Sequence, residues 1–398
     1  MMQLTKEDGA ILAGKRGEAA RKSMEILVAL GDIYGAKDLV DVASVQVAGV
    51  SYHNLGDAGL EFLSELAKDG QVKVLTTLNP AGMDLENWKA LGISEDFAKK
   101  QNLVIDAFRK MGIITCCTCT PYLAGNLPTF GQHLAWSESS AVTFANSIIG
   151  ARTNREGGPS ALAAAIIGKT PAYGLHLDEN RKPVVHVEVQ AKIRTMPDWG
   201  ALGYAIGKKA EGKVPYITGL QPASTDELKS FCASVVTYGG APLFHIPGIT
   251  PEASQHKQPA QKITITEADI ADAKKAIDDP VNEIEFVCLG CPHCSIDEVA
   301  KIAALLKGKK VKAEFWVAAS RNTKALADSR GYSAIIEAAG GKWACDTCLA
   351  VAPLKGRFKS VATTSAKGCF YCRGSNAMAT RMGTVEQCIN AAITGRWA

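Results

Sequence analysis

Aromatic side chains are scarce in this chain, at 7% of its 398 residues. That scarcity argues against a β-sandwich built around large rings, whereas 37 glycines and abundant alanine favour closely packed α/β layers. Long apolar runs are missing too: no stretch approaches the roughly 18 consecutive apolar residues of a membrane-spanning helix. Residues 1–17 carry Lys6, Glu7, Asp8, Lys15 and Arg16 and lack the apolar core of a secretory signal, so a cytoplasmic location is expected. Nor is there an excess of charge of one sign. The formal net charge is +4, and the densest basic spot is the turn Lys307-Gly308-Lys309-Lys310. A nucleic-acid partner is therefore not expected, and neither is a membrane. No internal repeat is visible.

The chain is too long for one compact core, and its length suggests two to three domains. Strand-like runs at 40–47, 72–78, 112–115, 183–189, 215–218 and 243–246 alternate with helical stretches at 59–68, 137–149, 161–167, 201–210 and 226–236. This alternation predicts mainly parallel sheets covered by helices. The polar run 250–262 contains Pro251 and Pro259 and reads as a linker. After it, a strand over 283–288 precedes a capping box at Ser295 and Glu298 that opens a helix to 306. Strands at 311–317 and 358–363 and helices at 325–339 and 385–392 complete the pattern. Three α/β domains follow, 1–135, 136–262 and 263–398.

Cysteine is the residue present in unusual amount and arrangement. Eleven of the twelve fall into three distant regions: Cys116, Cys117 and Cys119; Cys288, Cys291 and Cys294; and Cys345, Cys348, Cys369, Cys372 and Cys388. In a reducing compartment such groups are metal ligands or redox thiols more often than disulfides. Spacing alone leaves two readings open. Two Cys-x-x-Cys pairs, such as Cys288/Cys291 with Cys345/Cys348, would close a structural zinc or electron-transfer site. One cysteine from each region would instead leave one iron of a four-iron cluster without a protein ligand, free to act as a Lewis acid. Isolated cysteines such as Cys232 and Cys388 read as small buried hydrophobes.

Several motifs carry a resemblance. Cys119-Thr120-Pro121-Tyr122, the run from Gly131 through Ala135-Trp136 to Glu138-Ser139-Ser140-Ala141, and Gly150-Ala151-Arg152-Thr153-Asn154-Arg155-Glu156-Gly157-Gly158 resemble the aconitase X family. So do Gly290-Cys291-Pro292-His293 and Asp346-Thr347-Cys348, and the likeness runs over nearly the whole chain. It implies aconitase-like three-layer α/β/α domains and an iron–sulfur hydro-lyase. The implied cofactor is a [4Fe-4S] cluster with one open iron, held by Cys119, Cys291 and Cys348. Cys116, Cys117, Cys288, Cys294 and Cys345 depart from a minimal three-ligand pattern, and Cys288 and Cys345 are the competing ligands. Cys369 and Cys372 are extras.

The resemblance also implies a small hydroxy acid as substrate: a phosphorylated one for the two-subunit form whose large subunit this chain resembles, a hydroxyproline for other members. Gly49, Val50 and Ser51 with Asn79 and Pro80 form strand-end loops that offer N–H groups and a hydroxyl to an anion; ordinary turn chemistry is the plainer reading. Glu138 and Ser139 open a helix near the first cysteines, and Ser365 and Lys367 lie in a turn suited to a phosphate. Arg152 and Arg155 precede a helix start that could hold an anion, and His293 adjoins an implied ligand. No catalytic base is assigned in this sequence. Superfamily members use a serine on a smaller swivelling domain, which is not found here, so a small partner subunit carrying that serine is expected.

Overall fold

The computed structural model describes residues 2–397. Thirteen strands lie among them: β1 Leu39–Asp41, β2 Ser44–Val47, β3 Leu75–Leu78, β4 Leu134–Trp136, β5 Lys169–Pro171, β6 Val185–Val189, β7 Pro215–Thr218, β8 Lys262–Ile265, β9 Phe286–Cys294, β10 Glu314–Ala319, β11 Lys342–Cys345, β12 Ser360–Thr363 and β13 Ala379–Met382. Three parallel sheets have the orders β3-β2-β4, β7-β6-β8 and β11-β10-β9-β12-β13, and β1 pairs with β5 in an antiparallel ribbon. The expected α/β class with mainly parallel sheets is what the chain forms.

Each sheet has its own core. Val45, Val47 and Leu78 pack with Val104, Phe108 and the alanine-rich helix Gly158–Ile167. Val185, Val187 and Ile217 pack with Trp199, Phe231 and Phe244. The chain crosses between these two cores, since Val142 and Phe144 belong to the second and Leu162 and Ile166 to the first. In the third sheet the period of two separates the faces. Val287, Leu289, Phe315 and Val317 meet the helices Ile296–Leu306 and Val385–Thr394, while Phe286, Cys288 and Trp316 meet Met83, Leu91 and Ile93 of the N-terminal part. That second face joins the third sheet to the first.

Several expected elements take another form. The run 40–47 is broken into β1 and β2, and 112–115 and 243–246 contribute only single bridges, Thr77 to Ile114 and Tyr216 to His245. The run 325–339 is two helices, Arg321–Ser329 and Tyr332–Ala338, because Gly331 takes a left-handed φ of 74° between them. The polar run 250–262 leads into β8, which pairs with β6, so it is a connection inside the second sheet's unit. Among the described residues no helix is long and apolar enough to cross a membrane.

Candidate active site

The first and third sheets direct the carboxyl ends of their strands at one cavity of about 240 Å³, the position where open parallel sheets hold ligands. After β2 come Gly49, Val50 and Ser51; after β3, Asn79 and Pro80; after β4, Glu138. Cys291, Cys348 and Lys367 arrive from β9, β11 and β12, and Cys119 from the loop after Ile114. All of these line the cavity. Ser139 and Ser365 do not, but both act at its wall: Ser139 Oγ accepts from Lys367 Nζ at 3.0 Å, and Ser365 Oγ caps the helix Ala366–Asn376 by accepting from Gly368 N at 2.9 Å.

Cys291 reaches the cavity because β9 is interrupted. Leu289 pairs with Val317 and Cys294 with Ala319, so residues 290–293 swing out between neighbouring rungs of the ladder. Gly290 starts the excursion at φ 109°, where a Cβ would lie 2.0 Å from the carbonyl oxygen of Ala318. Only glycine fits there.

His293 ties the three cysteine segments together. Its backbone N–H donates to Cys119 Sγ at 3.2 Å, and its Nε2 faces the Thr347 carbonyl at 2.9 Å. A carbonyl only accepts, so Nε2 carries the proton, and Nδ1 accepts from the Thr118 hydroxyl at 3.0 Å. The ring is fully buried and neutral, burial having pushed its pKa down to about 4. Lys229, also buried, donates to the His293 carbonyl at 3.0 Å and pairs with Glu298 and Asp226.

Burial also pushes up the thiols of Cys119, Cys291 and Cys348, the last to about 12. Three thiolates at such depth would need a compensating cation, the charge that a bound metal would supply. Two thiols that competed in the sequence sit farther back. Cys288 lies in the core with Phe286 and Trp316, and Cys345 ends β11 with its N–H donating to Asp84 Oδ2 at 2.9 Å. Neither lines the cavity.

The three cavity thiols do not lie within 4.8 Å of one another, unlike the set His245, Glu252 and His256 elsewhere in the chain. A single tetrahedral zinc with bonds of about 2.3 Å would hold its sulfurs about 3.8 Å apart. As placed, the three thiols do not meet that spacing.

The opposite wall is a buried ion pair between Lys367 and Glu138. Burial alone would raise the Glu138 pKa, but the Lys367 charge, the Ser140 hydroxyl (2.6 Å) and the Ala141 N–H (2.7 Å) together hold it below the usual carboxylate value. Burial opposes the Lys367 charge and Glu138 outweighs it, so Lys367 is raised. Lys367, Tyr371 and Ser375 share one helix face at intervals of four and all line the cavity. The sequence reading missed this helix, although Ser365 as an N-cap was a visible signal for it. Asn79 adds a buried side-chain oxygen with no hydrogen-bond partner among the described residues. Ser51 is already engaged, donating to the Val351 carbonyl at 3.1 Å.

The two arginines lie elsewhere. Arg152 pairs with Asp178 and donates to the His176 carbonyl at 3.2 Å, and Arg155 is exposed; neither lines the cavity. A second clamp escaped the sequence reading. Arg321 bridges the buried carboxylates of Asp84 and Asp346, which fastens the loop after Asn79 to the turn that carries Cys348.

Comparisons with known proteins give the family. Family models described as the first, second and third domains of aconitase X match residues 1–179, 183–275 and 284–394. The chain is 50% identical over 395 residues to the phosphomevalonate dehydratase large subunit of Thermococcus kodakarensis, covering 98% of this chain and 100% of that protein. It is also 50% identical to the protein of that name from Methanocaldococcus jannaschii, covering 93% and 95%. A cis-3-hydroxy-L-proline dehydratase of Pseudomonas aeruginosa is 33% identical, with 98% of this chain matched to 70% of that protein. A crystal structure of Thermococcus kodakaraensis aconitase X in its holo-form superposes with a TM-score of 0.92 at 49% identity, over 98% of this chain and 100% of that one. Three consecutive domain matches, the superposition and the shared motifs lead to one statement: the chain belongs to the aconitase X family.

Proposed function

We propose that this chain is the large subunit of a hydro-lyase that dehydrates 5-phosphomevalonate to trans-anhydromevalonate 5-phosphate, a step of a mevalonate route to isoprenoids. One observation carries the reading: cysteines from three distant segments and the Lys367–Glu138 pair face the same cavity at strand carboxyl ends. Identity of 50% to two proteins named phosphomevalonate dehydratase large subunit supports the substrate. The hydroxyproline dehydratase is more distant, and the match leaves 30% of its length uncovered. A closed zinc site is the weaker reading because Cys288 and Cys345, which would complete its two Cys-x-x-Cys pairs, do not line the cavity.

In this reading Cys119, Cys291 and Cys348 would hold a [4Fe-4S] cluster, and the backbone N–H and ring of His293 fix the three segments relative to one another. Such a cluster, with one iron lacking a protein ligand, supplies Lewis acidity to the β-hydroxyl, which makes it a better leaving group. The protein does the rest. Lys367 presents a fixed positive charge to the substrate's anionic groups, Glu138 holds that ammonium in place, and Ser139 orients it. The N–H groups of the Gly49-Val50-Ser51 turn and the side chain of Asn79 bind further oxygens. Pro80, Pro292 and Val351 shape the wall and exclude water.

Removing the proton α to the carboxylate needs a base. Glu138 is occupied by Lys367, Ser140 and Ala141 N–H, and the likeness to the aconitase superfamily assigns the base to a serine of a small partner subunit that closes the cavity. Free buried thiols suit a cytoplasmic setting. The test is anaerobic reconstitution with iron and sulfide, followed by assay on 5-phosphomevalonate and on cis-3-hydroxyproline with and without the small subunit. Turnover of the phosphorylated substrate is expected only with the partner. Full turnover by this chain alone would overturn the shared site, and turnover of hydroxyproline only would overturn the substrate.

A further inference from the structure

A second set of metal-ligand types lies outside the cluster cavity. His245, Glu252 and His256 each bring one ligand atom within 4.8 Å of the others. His245 is fully buried, and its Nε2 faces the backbone carbonyl of Arg181 at 2.8 Å. The carbonyl can only accept, so the proton sits on Nε2 and Nδ1 is a bare lone pair. That Nδ1 is buried and has no hydrogen-bond partner among the described residues. Buried polar atoms of this kind are rare unless something meets them. Glu252 is held in a fixed orientation by Arg181, whose Nε donates to Oε1 at 3.0 Å and whose Nη2 donates to Oε2 at 2.9 Å. His256 is partly exposed, with its ring centroid 4.5 Å from that of His245, which opens one side to solvent.

We propose that His245, Glu252 and His256 form a binding site for a single divalent transition-metal ion of the zinc class, separate from the cluster cysteines. Two imidazoles and one carboxylate select such ions over magnesium or calcium, which prefer all-oxygen sites. An imidazole that donates its remote N–H to a backbone carbonyl is the usual orientation of a ligating histidine. Burial keeps both rings toward the neutral form that a metal needs. The placement suggests what the ion does. Residues 243–262 leave the edge of β7 through the Tyr216–His245 bridge and wander back to β8 with only the short turn Ala253–Gln255 between. An ion at this point ties the two ends of that bend together.

The experiment uses the full chain, wild type and His256→Gln, each given excess Zn²⁺, stripped of loose ion by gel filtration and assayed for metal. Thiols bind zinc too, so the readout is the difference between the two proteins, repeated with Co²⁺ to report ligand type. The expected result is one equivalent less zinc in the variant, and a cobalt difference spectrum with d–d bands but no intense thiolate-to-cobalt charge transfer. Zinc should also raise the wild-type Tm more than that of the variant. Equal metal content, or a difference spectrum dominated by thiolate bands, would overturn the site. So would wild-type protein that binds no zinc beyond its thiol-held complement, a result that needs no variant.

Discussion

Two buried pairs of a cation with a glutamate, Lys367–Glu138 and Arg181–Glu252, look alike in burial and differ in what surrounds the cation. The guanidinium of Arg181 is saturated. Beyond Glu252 it donates to the carbonyls of Leu175, Asn146 and Ala151 and to the side chain of Asn146, all between 3.1 and 3.3 Å. It stitches the chain between 146 and 252 into one knot and has no donor left for a ligand. Lys367 has only Glu138 and the hydroxyls of Ser139 and Ser140, at 3.0 and 3.4 Å, and it faces a cavity. Its three N–H groups are all engaged, but the Ser140 contact at 3.4 Å is long and can be exchanged for an incoming oxygen. The difference teaches that burial of a charged pair does not reveal its role; whether the cation borders a cavity and holds a contact weak enough to exchange does.

The largest effect expected from breaking this contrast is at Lys367. Lys367→Met strands Glu138 as a buried charge, and losing one partner of a buried pair costs about 3–5 kcal/mol of stability. It should also reduce kcat/KM by about 10²–10³-fold, as losing a preorganised donor to a substrate oxygen does. The double variant Lys367→Met/Glu138→Leu removes the stranded charge and should recover most of the stability, measured by urea unfolding, and none of the turnover. Arg181→Met should lose stability on the same scale while turnover per folded molecule, assayed with the small subunit, stays within about twofold. If the double variant turned over normally, or Arg181→Met lost catalysis without unfolding, the two pairs would have been told apart wrongly.

The sequence made the strand ends and the cysteine segments readable because both rest on local signals. Apolar runs ending in Gly49, Asn79 or Gly290 mark where a chain leaves a sheet, and a capping box such as Ser295 with Glu298 closes within four residues. Glu138 and Lys367 could be named separately by resemblance, but their pairing spans 229 residues and no periodicity announces it. The same holds for Arg321 between Asp84 and Asp346, and for Lys229 beneath His293. Arg152 shows the opposite error. An arginine beside Gly157, Gly158 and Pro159 has the local look of an anion site, yet the bridge from His133 to Arg152 turns its side chain toward Asp178. Helix 366–376 was hidden because its apolar content is low and no amphipathic stripe marks it.

A smaller effect tests the protonation state of the cavity pair. Glu138 has a folded pKa below its ordinary value of 4.5, set by Lys367 against the opposing effect of burial. A depressed carboxylate contributes stability that is complete above the unfolded pKa and is lost as pH falls through the folded one. Unfolding free energies of wild type and Glu138→Gln should therefore differ by a constant amount above about pH 5, and the gap should close on further acidification. A gap that widened in acid would mean that Glu138 is protonated in the folded protein, and Lys367 would then face the cavity as an uncompensated cation.

The smallest effect is expected at Arg152, whose place before a helix start could have held an anion. Arg152 is 20% exposed and its partner Asp178 80% exposed, and a pair so open to solvent contributes about 0–1 kcal/mol. Asp178 and the His176 carbonyl occupy the guanidinium, and the residues lining the cavity do not include Arg152. Arg152→Ala should accordingly leave KM for the phosphorylated substrate within about twofold and move Tm by no more than a surface change does. Salt gives the sharper reading. Screening shortens the reach of exposed charges to about 8 Å at physiological ionic strength, so any contribution of Arg152 to substrate capture should fade as salt is raised. The contribution of buried Lys367 should persist. A KM that rose tenfold in Arg152→Ala at all salt concentrations would place the arginine beside the substrate and Lys367 no longer alone in holding its charge.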